Sequence, residues 1–119
     1  MPNPYCDTLG IAVPDLAAVK RHSEASTFAL FLVALMAEGG PLTIAQAAER
    51  LVAVGVGAPA DVERALKRCR PGRPPVYRHG DRYHLDPFDS EASMWCFRLG
   101  LRPARGLAVA RPASPGRPS

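Results

Sequence analysis

A chain of 119 residues, 47% of them hydrophobic, has material for one domain with a modest core and too little for two. Its longest apolar run, Phe28 to Ala37, is ten residues long and falls short of the roughly 20 needed to span a bilayer. Three widely spaced cysteines (Cys6, Cys69, Cys96) with no CxxC pair, and an amino terminus without a basic, then apolar, leader, point away from a secreted disulfide scaffold and toward the cytoplasm.

The formal net charge of +4 is unevenly placed: residues 1–63 carry three basic and seven acidic side chains, and residues 64–82 carry seven basic and one acidic. A charge confined to one short segment makes a local field that attracts polyanions. Thirteen of the fifteen basic residues are arginine, a bias that GC-rich coding also produces, so position carries more weight than number.

In chain order, residues 1–14 read as an amino-terminal arm of loop or extended structure. Pro14-Asp15 opens a helix with Asp15 as its cap, and the stretch to Glu38 holds no proline or glycine, which predicts one continuous helix. Its second half, FALFLVALMA, is apolar all round and must be buried on several sides. Gly39-Gly40-Pro41 stops it. Thr43 and Gln46 fit a capping box opening a second helix, with Ile44, Ala47, Ala48 and Leu51 on one face. A third helix follows Ala58-Pro59-Ala60, its core face being Val62, Ala65, Leu66 and Cys69, and Pro71 ends it.

The segment PPVYRHGDRYHLDP, residues 74–87, is a hairpin signal with Gly80-Asp81 as a two-residue loop of type II′. That register pairs His79 with Arg82, Arg78 with Tyr83, Tyr77 with His84 and Val76 with Leu85. Asp89 or Ser90 caps a fourth helix with Ala92, Trp95, Cys96 and Leu99 as its apolar stripe. Residues 103–119 are mostly Pro, Arg, Ala, Gly and Ser without a period and read as a disordered tail. The domain therefore spans residues 15–102: mainly α with a small β-hairpin, in the order α-α-α-β-β-α.

Three segments resemble a winged helix-turn-helix. TIAQAAERLVAVG is similar to the first helix of that motif, PADVERALKRCR to its recognition helix and PPVYRHGDRYHLDP to its wing. Residues 73–103 also resemble amino-terminal segments of larger bacterial proteins. The family resemblance implies a recognition helix in the major groove and a wing on the backbone or minor groove. It thus implies a double-stranded DNA partner for a transcriptional regulator or DNA-targeting module. Arg64, Lys67, Arg68, Arg70 and Arg73 are then the phosphate contacts, and Arg78, His79 and Arg82 the wing contacts. Asp61 and Glu63 in the first turn of the third helix repel phosphates, so backbone contacts should outweigh base reading.

The alternative is a protein-interaction or dimerisation module on the same scaffold, favoured by the apolar first helix, the acidic first half and Trp95. A homodimer is expected through Phe28, Phe31, Leu32 and Leu35, because a domain of this size has little material to cover a helix that is apolar all round. No enzymatic activity, cofactor or metal is expected. Ser23, Ser26 and Ser90 lack a GxSxG context, GVGAP lacks the lysine of a phosphate loop, and Cys69 and Cys96 fall on apolar faces. His79 and His84 share a hairpin face without a cysteine pair nearby, short of the four ligands zinc usually takes.

Overall fold

The computed structural model describes residues 2–103. Among them are six helices and one two-stranded antiparallel sheet: α1 (Pro4–Leu9), α2 (Leu16–His22), α3 (Thr27–Glu38), α4 (Ile44–Ala53), α5 (Pro59–Arg68), β1 (Val76–His79), β2 (Arg82–Leu85) and α6 (Ser90–Arg98). The chain is mainly helical with a small hairpin. No helix among the described residues is long and apolar enough to cross a membrane. Apart from Pro103, the expected tail lies outside the described residues.

The amino terminus departs from the expected arm. Pro4 occupies the first turn of α1, the Asn3 side chain accepts from the Cys6 N–H at 3.0 Å, and Gly10 at φ 72 closes the helix. One short helix cannot hold itself in water; its stability comes from contacts distant in sequence. Asn3 Nδ2 donates to the Met36 carbonyl at 2.7 Å and the Cys6 thiol donates to the same oxygen at 3.3 Å. Tyr5 Oη accepts from the Leu85 N–H at 3.2 Å. Asn3 thus caps α1 while satisfying a carbonyl left open at the end of α3.

The expected single helix over residues 15–38 is two helices. Asp15 caps α2 as foreseen, accepting from the Ala17 and Ala18 N–H groups. Ser23 is extended, and its hydroxyl donates to the Val19 carbonyl at 2.7 Å. Ser26 then caps α3 by accepting from the Ala29 N–H at 3.2 Å. Two serines offer the backbone partners that a continuous helix would have supplied, and the chain turns there.

Helix α3 is the centre of the core. Every residue from Phe28 to Met36 is buried, and α2, α4, α5 and β2 pack around it. Phe28, Phe31, Leu32 and Leu35 are 0–2% exposed, so the expected pairing of two copies through these side chains is corrected: the chain covers them itself. Phe31 meets the edge of Tyr83 at 5.8 Å between ring centroids, and Phe28 meets Trp95 at 5.7 Å. The hairpin and α6 supply the cover that length alone did not promise.

Local signals elsewhere hold. The Thr43–Gln46 capping box forms at 2.9 and 3.1 Å, and Asp89 caps α6 through the Glu91 N–H at 2.8 Å. The hairpin pairs in the expected register, Val76 with Leu85 through His79 with Arg82. Gly80 takes φ 68 and Asp81 stays negative, the sign pattern of a type II′ turn. Leu42, between α3 and α4, exchanges both backbone hydrogen bonds with Tyr83, at 2.8 and 3.1 Å, and so ties β2 to the helices.

Candidate nucleic-acid interface

Helix α5 has no side-chain cap; Pro59 opens it, already fixed at a helical φ. Val62 and Leu66 are buried, which turns Arg64, Lys67 and Arg68 outward into solvent. Arg64 reaches back to Asp61 at 2.9 Å and Lys67 to Glu63 at 3.9 Å. Both pairs are solvent-exposed and so weak, about 0–1 kcal/mol, yet each already neutralises one expected phosphate contact. Arg68 makes no ion pair among the described residues.

Beyond α5 the backbone reverses. Arg70 stands at φ 56, a left-handed conformation, and the loop from Pro71 leads into the hairpin. Arg73 folds back: its Nε donates to the Cys69 carbonyl at 3.3 Å, and its guanidinium lies 3.8 Å from the centre of the Phe28 ring. It therefore closes one end of the core as well as carrying charge. Arg70, Gly72 and Arg73 line a shallow hollow of about 380 Å³.

Gly72 brings this loop against the hairpin. A Cβ built there would lie 3.6 Å from the Tyr83 ring and 3.9 Å from Arg78 Cβ. The structure thereby brings Arg78 beside the Arg70–Arg73 loop. Arg78 Nε donates to the Gly80 carbonyl at 2.7 Å, which steadies the turn. His79 and Arg82 are cross-strand partners at the tip, both exposed. The eight expected contact residues thus fall into three groups: Arg64, Lys67 and Arg68 on α5; Arg70 and Arg73 on the loop with Arg78 beside them; His79 and Arg82 at the tip.

The remaining chemistry is quiet. Burial pushes the Cys6 thiol up to about 11, with the nearby Cys96 and Asp7 acting in the same direction. Burial also raises Cys69 and Cys96. Thiols held protonated in this way are poor nucleophiles. Among the described residues no three His, Cys, Asp or Glu side chains cluster as metal ligands.

Two features escaped the sequence reading. Tyr77 and His84 stack face to face on the outer side of the hairpin, 5.1 Å apart and 11° from parallel. Their expected cross-strand pairing was the available signal. Phe88, Met94 and Phe97 stand 84%, 46% and 87% exposed; the spacing of Met94 and Phe97, opposite the buried Ala92 and Cys96, marked a second apolar face on α6.

The fold and these residues define a mainly helical chain with a basic segment running from a helix end into a hairpin. Comparison with models of known families, with characterised proteins and with solved structures finds no match.

Proposed function

We propose that the chain is a winged helix-turn-helix that binds duplex DNA chiefly through phosphates, as a transcriptional regulator or the DNA-targeting module of a larger assembly. The observation that carries this reading is the approach at Gly72, which seats the loop bearing Arg70 and Arg73 against the strand bearing Arg78. The Leu42–Tyr83 bridge adds support, since it anchors the hairpin to the segment that leads from α3 into α4, as a wing would be anchored. The outward face of α5 lies toward the major groove, and the hairpin tip with His79 and Arg82 lies on the flanking backbone. Asp61 and Glu63 place negative charge in the first turn of α5 beside Arg64 and Lys67, where it disfavours close approach to the bases, so binding is largely indifferent to sequence.

A titration of generic duplex at two salt concentrations tests this. The expected Kd at physiological salt is about 10⁻⁶ to 10⁻⁴ M, with log affinity falling by roughly 0.9 per neutralised phosphate for each tenfold rise in salt. Arg70→Glu with Arg78→Glu should weaken binding to all sequences alike. No binding at low salt refutes the proposal.

The exposed Phe88, Met94 and Phe97 favour a second reading, a dimerisation module. Antiparallel pairing of α6 with α6 of a second copy sets Glu91 in the first turn of one against Arg98 in the last turn of the other. Sedimentation equilibrium of the wild type and Phe97→Glu decides it; a monomer in both cases removes the reading.

A further inference from the structure

We propose that the outer face of the hairpin is a stacking site for an unpaired nucleobase, so that the preferred ligand is a duplex carrying a single-stranded extension. This inference rests on the DNA reading above and names which DNA the site takes. Tyr77 and His84 are cross-strand partners whose rings lie 5.1 Å apart and 11° from parallel. Tyr77 is 52% exposed, so its ring is open to solvent as well as stacked on His84. The His79 ring follows 6.4 Å from His84, tilted by 38°, and carries the aromatic row toward the tip.

The core does not need these rings. Val76 and Leu85, on the other face of the hairpin, make the buried contact. An aromatic row left on the outer face offers flat π-surface, and a flat partner completes it. Charge selects among flat partners. Arg82 shares this face by the alternation of the strand, two residues from His84 and cross-strand from His79, whereas Arg78 falls on the opposite face. The carboxylates nearby are Asp81 at the turn and Asp86 beyond β2, and Asp86 Oδ1 already accepts from the Phe88 N–H at 3.0 Å. A ring stack on the same face as a guanidinium group matches the repeat of a nucleic-acid strand, in which each base is joined to a phosphate. Inside a duplex both faces of each base are covered by neighbours. A stacking site is therefore useful only where bases are unpaired, at an end or a fork.

The test is an anisotropy titration of the full chain at low salt with three labelled ligands: a blunt duplex, the same duplex with a short oligothymidine extension, and the same extension built of abasic sites. One stacked base should tighten binding on the order of tenfold. The gain is expected with oligothymidine and not with the abasic extension, which carries equal charge. Tyr77→Leu should abolish the gain and leave the blunt-duplex Kd unchanged, and Tyr77→Phe should keep it. The unchanged blunt-duplex Kd also reports that the variant is folded. Equal binding of all three ligands, or a gain that survives Tyr77→Leu, overturns the stacking site and leaves the duplex reading intact. Failure to bind any of the three overturns both.

Discussion

Replacing Gly39 by alanine strains the junction that ties the amino terminus to the central helix. Gly39 ends α3 at φ 76, and a Cβ there would lie 2.8 Å from Asn3 Cγ and 3.0 Å from its Nδ2. Two costs follow. The left-handed backbone costs an alanine about 1 kcal/mol or a little more. Pushing Asn3 aside removes its cap on the Cys6 N–H and its bond to the Met36 carbonyl, each worth about 1 kcal/mol; that carbonyl then keeps only the weak Cys6 thiol donor. The sum is about 3 kcal/mol. Gly55→Ala is the control for the backbone cost alone, since Gly55 stands at φ 87 with no atom nearer than Lys20 Nζ at 4.0 Å; it should lose only about 1 kcal/mol. In an Asn3→Ala background the obstruction is gone, and Gly39→Ala should then cost about as little as Gly55→Ala. Urea unfolding of the four proteins of the Asn3/Gly39 cycle, with Gly55→Ala beside them, measures every quantity. A Gly39→Ala cost equal to that of Gly55→Ala, or equal in both Asn3 backgrounds, refutes the reasoning.

Two further outcomes are expected. The Cys6 thiol is pushed up from 9.0 to about 11 by burial, so between those values the unfolded chain gives up a proton that the folded chain keeps. Stability should be full below about pH 9 and fall toward pH 11, by at most about 1.4 kcal/mol per pH unit for each such thiol; an alkaline profile that Cys6→Ala leaves unchanged would count against it. Trp95, the single tryptophan, packs edge-on against Phe28. Its emission should be blue-shifted in the native protein and Trp95→Ala should cost roughly 2–4 kcal/mol, below the full value for a wholly buried ring; native emission identical to that in urea removes the contact.

Much of the fold was legible because it is local. The hairpin register follows from a glycine-led two-residue turn between two four-residue strands whose outer ends, Val76 and Leu85, are the buried pair, a short-range rule. The Thr43–Gln46 box, the Asp15 and Asp89 caps and the Val62–Leu66 core face were likewise readable from residues within a turn of each other. The basic segment was legible as charge, but its arrangement was not. That Arg73 folds onto Phe28, and that Gly72 seats the loop against Arg78, depend on residues six to forty-five positions apart.

The sequence by itself determined where backbone groups find partners nearby, since capping, turn chemistry and apolar period act over a few residues. Only the tertiary structure decided three things. It made a helix of Pro4–Leu9, whose Asn3 and Tyr5 bond to residues 33 and 80 positions away. It packed α2 back against α3, although the break between them rests on local bonds of Ser23 and Ser26 that span only four and three residues. It covered α3 with the chain's own hairpin and α6 rather than with a second copy. An apolar face announces that it will be buried, because leaving it in water costs about 25 cal/mol per Å². Which surface buries it depends on where the rest of the chain arrives, and no local pattern encodes that.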